Sequence, residues 1–454
     1  MASALRASLV DIDRHIAALN SELVRLQAER ENVLGKLAAV VYPILTLPDE
    51  ITAEIFVQYT FWYPTEGCSP MILASVCSPW RSVALSTPRL WMNLDPGHPF
   101  TRLKSEDRAH GAELLRMWLP RTGALPVDIR IRLPNYDPAA HAEMFRLLGE
   151  RSAQLRVLDL FAGDSIDIPN GWPGPLPSLT KISFTTTYDE IYIRSLLNAP
   201  ELREASFRTC EFPSHFNWQS SVPWNQLTIL RVFEVEISAW LQILKLATNL
   251  ELLEFACEDE LLAIVPATTP PVLLPRLQNL ILGGHLTHDI IPFLTLPALR
   301  KFHLETVVGI CGEQVVGLIR RSACILADLH LRVEDLDDMN ALRDCLRASP
   351  TVRTLEINCR NITDDGDTVK QLLAVTTSGG VGRLESFKIS FIQKDHTFCC
   401  DDPKGEAAHR PVVDMLDKLR EMRSRGLKVE IQSVVDWFSD EINSRMIQEI
   451  CGEV

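Results

Sequence analysis

The chain has 454 residues, room for about three domains or for fewer if one is an elongated repeat array. With 46% hydrophobic and 23% charged residues it is neither a disordered chain nor a membrane one, and a net charge of -14 excludes attraction to phosphate backbones or anionic lipid as its main activity. Prolines 43, 48, 266, 270 and 271 keep every apolar run short of a bilayer span, and Asp11 and Asp13 stand where a signal peptide needs continuous apolar residues, so a cytoplasmic or nuclear protein is expected.

The first predicted element is a long helix. Leu5, Leu9, Ile12, Ile16, Leu19, Leu23, Leu26, Val33, Leu37 and Val40 alternate steps of four and three, with Arg30 in the remaining seam position. This is a heptad stripe, about 54 Å long, and Tyr42-Pro43 ends it because proline pushes the preceding residue out of the helical region. Residues 1–42 are read as a heptad helix. Its stripe either pairs with a second copy, giving a homodimer through residues 2–41, or lies on the chain's own body, or belongs to a frayed lead-in; Arg30 and Gly35 weaken the seam.

A small helical module follows over residues 43–94. Pro48, Asp49 and Glu50 suit a helix start, with Ile51, Ile55 and Tyr59 on one face. Pro70 starts a second helix carrying Leu73, Val76 and Cys77, and Ser78-Pro79 opens a third carrying Trp80 and Val83. Three short helices bury too little surface to be stable alone, so the module is expected to keep an apolar face for a partner.

The ordered set Leu47-Pro48-x-Glu50-Ile51, Ile55-Phe56, Leu73-Ala74-x-Val76-Cys77-x-x-Trp80-Arg81 and Ser86-Thr87-Pro88-x-Leu90-Trp91 resembles an F-box of the type abundant in mushroom-forming fungi. The resemblance implies docking on a Skp-family adaptor, itself held by a cullin of a ubiquitin ligase. It makes Leu47 and Pro48 the first adaptor contacts and places Ile51, Ile55, Leu73 and Val76 on the same face. Cys77 and Trp80 would hold the helices together, Trp80 by core packing rather than partner contact. The aromatic loop Thr60 to Ser69 is longer than a minimal F-box linker.

After a linker helix in residues 95–124, the phrase L-x-x-L-x-L recurs from Leu155, Leu179, Leu202, Leu227, Leu250, Leu277, Leu299, Leu326, Val352 and Leu384. The spacing averages about 25 residues, inside the leucine-rich-repeat range. Each phrase is expected to be a short strand with inward leucines, stacked into an irregular solenoid over residues 125–433. Val127-x-Ile129-x-Ile131 reads as its opening strand and Leu427-x-Val429-x-Ile431 as its closing one, with residues 434–454 as a terminal cap. The fold class is therefore α/β: a long N-terminal helix, a three-helix module and a leucine-rich-repeat solenoid.

The x positions of such strands form the default binding face. Arg300, Lys301, His303, His330 and Arg353 fall on neighbouring strands and read as a basic patch for an acidic or phosphorylated segment of a substrate protein, or else as a solvated face. No hydrolase elbow, zinc-protease helix, kinase signature or phosphate loop is present, so no catalytic residue is assigned and no enzyme is expected. Eleven scattered cysteines without a CxxC pair exclude a disulfide framework and a zinc ribbon. His285, His288 and Asp289, and the group His396, Cys399, Cys400 and His409, lack ligand spacing, so neither metal nor cofactor is expected. The leading reading is the substrate-recognition subunit of a Skp/cullin/F-box ubiquitin ligase. The alternative is a scaffold that binds partners without their degradation.

Overall fold

The computed structural model describes residues 2–38, 43–62, 69–94, 110–133, 138–162, 166–167, 175–186, 191–192, 199–208, 222–233, 237–257, 269–284, 287–306, 312–333, 338–360, 384–392 and 428–433. The terminal cap expected over 434–454, His285, and the group His396, Cys399, Cys400 and His409 lie outside them. The chain divides into two compact units, Met1–Leu90 and Trp91–Val454.

The first unit opens with α1, Ala2–Ala38, a stretch free of proline and rich in Ala, Leu, Arg and Glu, the strongest helix formers. Every described side chain on it is exposed. Helix α2, Asp49–Trp62, begins with two carboxylates at the positive end of its dipole, and Thr52 N–H and Oγ1 both bond the Pro48 carbonyl, at 3.0 and 3.2 Å. Helix α3, Pro70–Val76, is capped by Ser69, whose Oγ accepts from Met71 N–H at 3.2 Å. Extended backbone at Cys77 breaks the chain before α4, Ser78–Ser86. Arg81 Nε bonds the Ala74 carbonyl at 2.8 Å, tying α4 back to α3. Phe56, Leu73, Val83 and Ala84 fill the small core, where the Trp80 ring meets Phe56 edge-on at 4.9 Å.

The second unit is a parallel ladder. Its strands are β1 (Asn93–Leu94), β2 (Val127–Leu133), β3 (Leu155–Ala162), β4 (Ile166–Asp167), β5 (Lys181–Thr186), β6 (Ile191–Tyr192), β7 (Glu204–Arg208), β8 (Ile229–Phe233), β9 (Leu252–Cys257), β10 (Val272–Leu273), β11 (Asn279–Gly284), β12 (Leu294–Thr295), β13 (Lys301–Thr306), β14 (Asp328–Val333), β15 (Thr354–Arg360), β16 (Ser386–Ile392) and β17 (Lys428–Ser433). Among the described residues 13 of them form one sheet in chain order, while β4 pairs with β6 and β10 with β12. Helices Pro138–Glu150, Ile237–Leu246, Gly312–Ser322 and Asp338–Ala348 occupy some crossovers, and single 3-10 turns such as Trp224–Gln226 occupy others. The solenoid is thus irregular.

The repeat phrase explains the ladder. Its second leucine position stacks in register through Leu158, Ile182, Ala205, Leu230, Leu253, Leu280, Phe302, Leu329, Leu355 and Phe387, all buried. The third runs from Leu160 through Phe184, Phe207 and Val232 to Ile389, buried likewise. The first closes a turn: Leu179, Leu202, Leu227 and Leu299 each donate to the carbonyl three residues earlier at 3.2 Å. Neither helical nor two-sided strand packing would leave such a regular column.

Three expectations need correction. Asn93–Leu94 pairs with Asp128 and Ile129, so Val127–Leu133 is the second strand of the ladder. Trp91 belongs to the second unit, where its ring meets Trp118 at 4.8 Å and its carbonyl accepts from Trp118 Nε1 at 2.6 Å; the small module ends at Leu90, not at 94. The expected linker over 95–124 contains helix His110–Trp118, which buries Leu115 and Trp118 and pairs Arg116 with Glu143 of the next helix at 2.6 Å, so it is part of the solenoid's first layer.

Candidate interaction surfaces

Exposed apolar side chains are concentrated in the first unit. Leu47 (38%), Ile51 (50%), Ile55 (45%) and Tyr59 (37%) recur at four-residue spacing and give α2 and its approach an apolar stripe. Pro48 beside it is exposed, as is Val76 at the end of α3. The other face of α2 supplies Phe56 to the core, so the stripe is surface left over after the module's interior is filled. Cys77 and Trp80 are half-buried, Trp80 against Phe56. Leu73 departs from its expected place: it is 5% exposed and belongs to the interior. Ile44 and Leu45 are exposed as well, a continuation that sequence reading missed. Their signal is a pair of apolar residues held between Pro43 and Pro48 in a 3-10 turn.

The second surface is the sheet face opposite the leucine columns, where the half-exposed x residues stand. Because the strands are in register, these residues meet their counterparts directly across about 4.8 Å. Lys181 Nζ lies 2.6 Å from Glu204 Oε1, Arg231 bonds the same carboxylate, and its Nε reaches Glu254 at 3.0 Å. Burial raises the Glu204 carboxyl, but the hydrogen bonds from Lys181 and Arg231 outweigh it and hold the group below the ordinary range.

Further along, Lys301 lies 3.2 Å from Asp328, and His303 stacks on His330 with ring centroids 3.7 Å apart. His330 Nδ1 lies 3.5 Å from Glu356, and its Nε2 is 2.8 Å from Asn358 Nδ2, which can only donate; Nε2 therefore accepts and the proton sits on Nδ1. Burial, followed by the charge of His303, pushes the His330 pKa down to about 4. Lys388 takes the other side of Glu356 at 2.7 Å, and Arg353 lies 3.5 Å from Glu385. The ladder therefore brings Lys301, His303 and His330 onto neighbouring strands, with Arg300 immediately before β13 and Arg353 immediately before β15, but interleaves Asp328, Glu305, Glu356 and Glu385 among them. The face is mixed in charge where sequence order made it read as basic.

Cys77, Cys324 and Cys345 are free thiols, and burial raises that of Cys345 to about 12, far from reactive. No helix among the described residues is long and apolar enough to cross a membrane.

No protein-family model matches the sequence, and no curated protein matches it. Among solved structures the chain is similar to an internalin from Listeria monocytogenes str. 4b F2365, at 13% identity and a TM-score of 0.29, over 73% of this chain and 95% of that one. The leucine-rich-repeat-like character of the second unit rests on its own ladder: one parallel strand per phrase, in register, with the leucine positions buried. A fold of this class is a platform for protein partners.

Proposed function

We propose that the chain is the substrate-recognition subunit of a Skp/cullin/F-box type ubiquitin ligase. Residues 43–90 dock a Skp-family adaptor and through it a cullin, the strand face of the ladder holds a target protein, and a second copy of the chain joins through α1. Catalysis falls to other subunits. The observation that carries this reading is the exposed stripe Leu47, Ile51, Ile55 on a module whose own core is already filled by Phe56, Leu73, Trp80 and Val83. These are the positions at which the F-box resemblance places adaptor contacts. Pro48 and Val76, exposed beside them, complete the proposed docking face, with Leu73 moved to a supporting role.

On the strand face, Arg300, Lys301, His303, His330 and Arg353 border the proposed target site. The interleaved carboxylates favour a target that brings charges of both signs rather than a purely acidic one. Affinity purification of the full chain beside Ile51→Asp with Ile55→Asp tests the docking. A Skp-family adaptor accompanying the wild type and missing from the variant is expected; its retention by the variant would sink the docking face. Proteasome inhibition then separates the ligase from a non-degradative scaffold, because only a ligase target accumulates.

A further inference from the structure

We infer that α1 pairs with α1 of a second copy in the antiparallel sense, an orientation that rests on the self-association proposed above. Leu5, Leu9, Ile12, Ile16, Leu19, Leu23, Leu26 and Val33 are 49% to 69% exposed. A helix of 37 residues with no buried side chain among the described residues shows no tertiary packing there to hold its apolar stripe, and more than four heptads of such a stripe suffice for a two-stranded coiled coil.

Arg30 and the flanking charges select the orientation. With Leu9, Ile16, Leu23 and Arg30 as the a positions and Leu5, Ile12, Leu19, Leu26 and Val33 as the d positions, a parallel pair sets Arg30 against Arg30 of the second copy inside the seam. Its flanks then match Ser8 with Asp13, His15 with Asn20, Glu22 with Gln27 and Glu29 with Leu34, none an attractive charge pair. The β-branched a positions that favour two strands in a parallel coil are also scarce.

An antiparallel pair sets Leu9 against Val33, Ile16 against Leu26 and Leu19 against Leu23, keeping the apolar layers closed. Arg30 then meets Ile12 of the second copy, with Asp13 of that copy at the flank. Within the chain, Asp11 is engaged by Arg14, and Glu22 by Arg25, while Arg30 and Asp13 take no ion-pair partner among the described residues. The antiparallel pair brings these two unused charges together at both ends of the seam. A like-charge contact is thereby exchanged for an opposite-charge one.

The test uses the full chain in three forms, followed by sedimentation equilibrium at micromolar concentration. Wild type is expected to be a dimer. Leu19→Asp places a carboxylate against Leu23 of the second copy and weakens the dimer more than about a hundredfold, whereas Ile12→Asp faces Arg30 and stays within about tenfold of wild type. Circular dichroism reports whether both variants keep their helix. A monomeric wild type would overturn self-association, leaving a different helix as the occupant of the stripe. A dimer lost in Ile12→Asp as completely as in Leu19→Asp would overturn the antiparallel orientation alone, and a trimer or tetramer would overturn the two-stranded seam.

Discussion

At His330 several neighbours compete over one proton. Burial and the adjoining His303 and Lys388 disfavour the imidazolium, while Glu356 and Glu305 favour it, and the first group wins, leaving the pKa at about 4. A folded-state value below the ordinary 6.5 means that the unfolded chain binds the proton first, so the contribution of this group is complete above pH 6.5 and is lost as the pH falls toward 4. The thermal midpoint should therefore fall on acidification over that window, and less steeply in His330→Gln, which keeps a donor near Glu356. Equal slopes in the two proteins would show that His330 does not titrate there. The aromatic column makes a second residue-scale prediction. Phe207 is fully buried with Phe184 at 6.3 Å on one side and Trp224 at 6.0 Å on the other. Phe207→Ala should cost about 3 to 5 kcal/mol, measured by the shift of its denaturant midpoint.

Among the elements, helices Gly312–Ser322 and Asp338–Ala348 come close together at Gly312. A Cβ at Gly312 would lie 2.7 Å from Ala341 Cβ and 2.9 Å from its Cα, so Gly312→Ala should destabilise the solenoid by about 1 to 3 kcal/mol. Adding Ala341→Gly removes the nearest of these atoms and should recover part of the loss; calorimetry on the single and double variants checks this. Sequence reading finds the repeat strands but not this approach, because a lone glycine carries no address for its neighbour. The ten phrases are legible because each spends its three inward positions on apolar residues at fixed spacing, and no other element does so for ten turns running. Asn93–Leu94 is not legible: two residues show no alternation, and the strand is defined by its pairing with Asp128 and Ile129, beside which Asp128 N–H reaches the Met92 carbonyl at 2.7 Å. Leu73 is misplaced for a related reason, since helical spacing groups it with Val76 while the turn at Cys77 folds α4 over it.

For the molecule as a whole, the two interaction surfaces differ in how far sequence reveals them. The shared face of Ile51, Ile55 and Tyr59 on α2 follows from four-residue spacing, and in the folded module that face is exposed. The strand face depends on register, which pairs Lys301 with Asp328 and His330 with Glu356 across 27 and 26 positions of sequence, and no local pattern announces those partners. An exposed ion pair such as Lys301–Asp328 contributes only about 0 to 1 kcal/mol, so it is better suited to selecting a partner than to stabilising the fold. Reversing Lys301 and Arg353 to glutamate should accordingly change the set of bound proteins while leaving the thermal midpoint within a few degrees; a large loss of stability would assign these groups to the fold instead.

Titration of the purified full chain with a purified Skp-family adaptor tests whether the small module docks through its exposed stripe. Saturable binding is predicted, weakened more than about thirtyfold by Ile51→Asp with Ile55→Asp and unchanged by Lys301→Glu with Arg353→Glu. Absence of binding, or equal affinity in the stripe variant, would contradict it.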